Sequence, residues 1–165
     1  MNLEETLKQT RPFRSIYEKT SLNIIFTGNW LQSRLEECVK SHGLTTHQQY
    51  NILRILRGVH PEGHSIQDIK CRMLDRNSDV SRLVDRLLKQ GLVTREEDAQ
   101  NRRKVIVKIT DIGLKLLEDL QPLIDEMNRF FAQIPEEQLD QVNTVLDQIR
   151  TIQECTERPQ CGENT

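Results

Sequence analysis

Two groups of side chains in this sequence have types and spacings that could do chemistry. Cys38 and His42 stand four residues apart, one face of a continuing helix, with His47 close behind. A thiolate with imidazoles is a donor set for zinc or another soft divalent ion. The second group is cationic. Arg82, Arg86 and Lys89 recur at helical spacing, and Arg102, Arg103 and Lys104 stand consecutively a short way downstream. Guanidinium and ammonium groups so placed suit phosphate oxygens and base edges. There is no glycine-rich phosphate loop, no nucleophile elbow and no metal-hydrolase helix motif, so an enzyme is not expected.

The cationic group gains weight from how charge is distributed. The 165 residues carry a formal net charge of −2, which alone would argue against nucleic acid. Residues 1–64 hold 8 Lys+Arg against 6 Asp+Glu, residues 65–110 hold 11 against 7, and residues 111–165 hold 4 against 12. The middle is therefore basic and the end strongly acidic, a segregation that suits one lobe meeting phosphate and another turned away from it.

Positioning these groups is the task of the surrounding elements. From Pro12 to Lys40 apolar residues recur at helical spacing, and Gly43 closes that helix. Thr45 and Thr46, each followed three residues later by Gln, offer alternative capping boxes for a second helix. Ser65 with Asp68 is a further capping box, opening a short helix with Ile66, Ile69 and Met73 on one face. Val80, Leu83, Val84, Leu87 and Leu88 then follow an amphipathic pattern without a miss, which predicts a helix over Asn77 to Gln90 ended by Gly91. After it the period changes to 2: Leu92 to Glu96 and Val105 to Thr110 read as two strands of a β-hairpin, its tip carrying the Arg102, Arg103, Lys104 run. Helix, helix and basic-tipped hairpin is the order of a winged helix-turn-helix.

Asn77, Ser78, Asp79, Ser81, Arg82 and Arg86 then become the candidates to face a major groove. Asn101, Arg102, Arg103 and Lys104 become the candidates for a wing in the minor groove. Downstream, Leu117, Leu120, Ile124, Met127, Phe131 and Ile134 form one apolar stripe with a second beside it, interrupted by Pro122, where a bend is expected. Pro135 starts a last helix with Leu139, Val142, Leu146 and Ile149 at heptad spacing. A lone chain of this length would struggle to bury stripes so wide, which points to a dimer.

The stretch SDVSRLVDRLLKQGLVTREEDAQNRRKVIVKITDIG, Ser78 to Gly113, resembles the core of the MarR (multiple antibiotic resistance regulator) family of winged-helix regulators. Ser81, Arg82, Leu83, Val84, Arg86, Leu87, Gly91, Leu92, Val93, Arg102, Arg103, Thr110 and Gly113 stand at the family's positions. Where the family's wing has an acid just before its two arginines, this chain has Asn101, which accepts a hydrogen bond but brings no charge.

The resemblance implies a mainly α fold with a small β-hairpin wing: residues 12–42 and 111–153 as dimerisation helices, 45–110 as the DNA-binding lobe, and 154–165 as a flexible tail. It implies a regulator, most often a repressor, that binds duplex DNA at a pseudo-palindromic site as a homodimer. It also implies a small aromatic effector, for which Phe26, Trp30, Arg34, His47 and Tyr50 are the candidate lining. No cofactor and no resident metal are expected. The remaining readings are a thiol- or metal-responsive regulator using Cys38 and His42, and a winged-helix protein-interaction module that does not bind DNA. The polar start of the chain and its lack of a long apolar run predict a cytoplasmic protein with no membrane span and with its four cysteines as thiols, and His60 and His64 beside a solvated turn.

Overall fold

The computed structural model describes residues 2–97 and 105–157, the last five of them as backbone alone. The elements run α1 (Leu3–Thr6), α2 (Ile16–Lys40), α3 (His47–Arg57), β1 (His64–Ser65), α4 (Ile66–Arg72), α5 (Val80–Lys89), β2 (Val93–Glu97), β3 (Val105–Ile109), α6 (Asp111–Asn128), a 3₁₀ turn (Arg129–Gln133) and α7 (Glu136–Glu157). The fold is mainly α with a small antiparallel sheet of order β1-β3-β2. Val93 faces Ile109 and Glu97 faces Val105 across the hairpin, and His64 faces Val107 on the other side of β3. The third strand is a departure from the two expected. At two residues β1 is too short to show a period, and only its pairing to β3 defines it.

The core lies in the central lobe. Ile52, Leu53 and Leu56 of α3, Ile69 of α4, Val84 and Leu87 of α5, Val107 of β3 and Leu117 and Leu120 of α6 are fully buried or nearly so, in one contiguous cluster. Val80, Leu83, Val84 and Leu87 are the buried face of α5, as the spacing predicts, and half-buried Leu88 packs against the same cluster. Burying four such side chains contributes roughly 1.5–3 kcal/mol each, so the orientation of α5 about its own axis is strongly fixed.

Local signals at the helix ends act as the sequence predicts in some places and not in others. The Ser65/Asp68 capping box forms, with Asp68 N–H donating to Ser65 Oγ at 3.1 Å and Ser65 N–H to Asp68 Oδ2 at 3.3 Å. Neither threonine box at α3 forms. Thr46 is the N-cap without a side-chain bond, and Gln49 Oε1 instead accepts from both the N–H (2.8 Å) and Oγ1 (2.6 Å) of Thr45. Gln49 is fully buried, and Thr45 supplies donors that satisfy its amide oxygen there. The turn α1, capped reciprocally by Asn2 and Glu5, was not expected; Glu4 ties it to α2 by an ion pair with Lys19 at 2.7 Å.

Gly91 and Gly113 explain the spacing Gly91-Leu92-Val93 and Thr110 to Gly113. Gly91 ends the helix at φ +70°, a backbone conformation that costs an L side chain energy. A Cβ on Gly113 would lie 2.4 Å from the Leu92 carbonyl oxygen. Thr110 caps α6 by accepting from Gly113 N–H at 3.1 Å and donates its hydroxyl to Gly91 O at 2.8 Å. One threonine thus clamps the start of α6 against the end of α5.

Outside this lobe the helices are bare. Val39 is the one buried residue of α2. In α7 no residue from Glu136 to Ile152 is buried, and Leu139 and Leu146 are the two half-buried ones. Large apolar side chains on both helices stand exposed, among them Tyr17 at 81%, Ile25 at 58% and Val142 at 53%. Pro122 lies inside α6, and the described part of α7 runs to Glu157. No helix among the described residues is long and apolar enough to cross a membrane.

Candidate nucleic-acid interface

The helix α5 begins later than its spacing suggested. Asp79 is the N-cap and Val80 the first helical residue, so Asn77 and Ser78 belong to the preceding turn. The competing interaction is the carboxylate of Asp75, which accepts from Asn77 N–H at 2.9 Å and from Ser78 Oγ at 3.0 Å. These two bonds close the turn between α4 and α5. They commit the Ser78 hydroxyl proton to the loop, leaving that residue a weaker candidate for a base edge. The Asn77 N–H, chiefly, holds the Asp75 carboxyl below its ordinary range; Ser78 and Gln48 add to this, and the charge of His47 contributes least.

The outer face of α5 is presented to solvent by the burial of the inner one. Ser81, Arg82, Asp85, Arg86 and Lys89 are all exposed. Both acids on this face are neutralised locally: Asp79 pairs with Arg82 at 3.1 Å, and Asp85 with Arg95 of β2 at 2.8 Å. Arg86 and Lys89 have no ion-pair partner among the described residues, so the helix offers a basic outer surface although its sequence mixes both signs. The Asp85–Arg95 pair also joins the helix to the hairpin, whose strands carry a cross-strand pair of their own, Lys108 with Glu96 at 2.7 Å.

The surface extends further than the sequence reading drew it. Lys70, Arg72 and Arg76, on α4 and the turn after it, are exposed in the segment leading directly into α5. Arg72 donates to the Asp68 carbonyl at 3.1 Å, which anchors its guanidinium over the helix end. The signal was present in the sequence, since the helix before a recognition helix crosses the phosphate backbone. Asn101, Arg102, Arg103 and Lys104 lie outside the described residues.

The five residues expected to line an effector pocket do not converge. A cleft of about 370 Å³ lies between α2, α3 and α6, with Leu35, Tyr50, Arg54, Arg57, Gln121 and Asn128 in its wall. Of the five, Tyr50 alone lines it. Trp30 packs edge-on against Phe130 with ring centroids 5.1 Å apart, Phe26 is exposed on α2, and exposed Arg34 pairs with Glu37 at 3.7 Å. His47 is buried and meets Glu36 at 3.1 Å. They separate because α2 turns its Phe26 and Trp30 side outward, a direction that helical spacing leaves open. Arg54 and Arg57 went unnamed because the sequence reading took α3 only for its apolar face; Arg54 lies over the Tyr50 ring at 5.8 Å from its centre.

Cys38 is half-buried with its sulfur 4.0 Å from the Leu123 carbonyl, and His42 bonds Ser41 at 2.9 Å. Among the described residues no group of three or more His, Cys, Asp or Glu side chains could hold a metal ion. Cys71 is disulfide-bonded, which corrects the expectation of four thiols. His64 is not a solvated turn residue either. Pairing of β1 to β3 takes its ring into the sheet, where Nε2 is buried without a hydrogen-bond partner, and burial, then the charge of Arg72, lowers its pKa.

A family model described as MarR family matches residues 45–105. A crystal structure of a MarR transcription factor from Planctomyces limnophilus is 35% identical, with a TM-score of 0.62 over 82% of this chain and 98% of that one. The MepR–DNA complex of S. aureus is 25% identical, with a TM-score of 0.70 over 79% of this chain and 96% of that one. The HTH-type transcriptional repressor IacR of Pseudomonas putida is 29% identical over 84 residues, half of each chain. With the winged helix-turn-helix in place and a 35% identical relative covered almost end to end, the chain belongs to the MarR family of transcriptional regulators, and is not an enzyme.

Proposed function

We propose that this protein is a cytoplasmic, homodimeric repressor that occupies a pseudo-palindromic duplex site and leaves it when a small effector binds. The observation that carries the reading is α5: four buried apolar side chains fix its rotation, and its outer face of Ser81, Arg82, Arg86 and Lys89 is free to enter a major groove. Arg82 and Ser81, in the first turn, are in place for base edges, and Arg86 and Lys89, further along, for phosphates. Lys70, Arg72 and Arg76 extend the phosphate-binding surface across α4. Arg102, Arg103 and Lys104 would follow the minor groove beside it.

The dimer is supported by the exposed apolar residues of α2 and α7, which no described residue of the protomer covers. Two-fold symmetry then carries two copies of α5 to one duplex. Repression is supported by the relative named as a repressor, and DNA by the relative solved on DNA. The cleft between α2, α3 and α6 is the candidate effector site, because it joins a dimerisation helix to α3, whose buried face packs against α5.

The test is selection of bound sites from sheared genomic DNA by the purified full chain, with the mass of the complex measured. The expected result is a symmetric motif bound by two chains, with affinity falling steeply as salt rises. Recovery of a protein partner with no enriched DNA would replace this reading with an interaction module.

A further inference from the structure

Asp79 and Arg82 meet at two points at the start of α5. Both oxygens of the Asp79 carboxylate are held by the same residue: Oδ1 accepts the backbone N–H of Arg82 at 3.2 Å, and Oδ2 meets Arg82 Nε at 3.1 Å. The first bond is the helix cap, so the carboxylate is fixed relative to the axis of α5. The second, an i,i+3 ion pair, sets the guanidinium beside that carboxylate. Val80, Leu83 and Val84, buried on the other side of the same turn, keep the backbone beneath both from rotating.

We propose that Asp79 is a positioning residue that sets Arg82 to read a guanine, which makes this pair a determinant of sequence specificity. The proposal rests on the reading of α5 as the helix that enters the major groove. A guanidinium carries five donors in a rigid fork, and with the carboxylate beside Nε the four on the two terminal nitrogens are available. Guanine presents O6 and N7 side by side in the major groove, which two of those donors can engage together. A guanidinium biased toward one orientation by its neighbour loses less freedom on docking. The carboxylate beside it also repels phosphate oxygens, so Arg82 is turned from the backbone toward the base edge. Arg86, one turn along with no ion-pair partner among the described residues, has no such bias and suits phosphate.

The experiment uses the full-length chain. Wild-type protein selects an operator from a pool of random duplexes, and affinity for that operator is compared with affinity for a shuffled duplex. Asp79→Asn and Asp79→Ser both keep a capping oxygen while removing the charge that holds Nε. Each is expected to lower the ratio of specific to shuffled binding about tenfold, with the loss confined to one G·C pair per half-site. The same Asp79 changes made on Arg82→Ala are expected to alter the ratio no further.

An unchanged ratio in both Asp79 variants, with Arg82→Ala lowering it, overturns the proposal while leaving the DNA reading intact. An equal loss with and without Arg82 also overturns it, since Asp79 would then act through the helix alone. Wild-type protein that selects no sequence removes the reading of α5 itself, and the proposal with it.

Discussion

Introducing charge on α7 should take the proposed dimer apart and leave the winged lobe folded. Val142 and Ile149 are 53% and 43% exposed and lie seven residues apart on one face of a helix with no buried residue from Glu136 to Ile152. Covering the open half of such a side chain contributes about 1 kcal/mol. In a two-fold dimer each substitution counts twice, so Val142→Asp with Ile149→Asp removes about 4 kcal/mol of apolar gain. That is about a thousandfold in the dissociation constant, before the cost of burying four carboxylates is counted. The protomer should lose little, because the core lies in α3 to α6 and the sheet, with Val39 of α2 and Leu44, and no α7 residue from Glu136 to Ile152 is buried.

Sedimentation equilibrium across micromolar concentrations would read the mass, and near-ultraviolet circular dichroism with thermal melting would report the fold. The expected outcome is a folded monomer with greatly weakened binding to a symmetric site. A variant that stays dimeric with both aspartates in place would show that α7 is not at the interface. One that unfolds outright would show that the exposed row serves the protomer itself.

Three further outcomes can be measured separately. Gly113→Ala would place a Cβ 2.4 Å from the Leu92 carbonyl oxygen and should destabilise the chain by about 1–3 kcal/mol, seen as a lowered melting temperature. Arg86→Ala should weaken binding to specific and shuffled duplexes alike and reduce the slope of log affinity against log salt by about 1 per chain; loss of sequence preference instead would put Arg86 on a base. His64 has a folded pKa below its ordinary value of 6.5, so the unfolded chain takes up the proton first as pH falls. Its contribution is fully present above pH 6.5 and shrinks as pH drops toward the folded pKa; His64→Gln should flatten the melting temperature between about pH 7 and pH 5.5, and an unchanged slope would exclude His64 as the cause.

The amphipathic period of Val80 to Leu88 determined a helix and which of its sides is buried, because five apolar residues at that spacing can be satisfied in one way. The switch to alternation at Val105 marked β3 through a purely local rule. The segment Ser78 to Gly113 carried the family resemblance for the same reason: it is where local geometry and function coincide. The start of α5 was not legible, because Asn77 and Ser78 suit a helix N-terminus but Asp75 takes their donors first. Nor was the capping of α3, where Gln49 turns back to Thr45 from a fully buried site. The cleft residues Arg54 and Arg57 were hidden for a related reason. Helical spacing gives each residue a direction relative to its own axis, whereas a cleft depends on how α2, α3 and α6 are set against one another, and that follows from long-range packing that no single segment encodes.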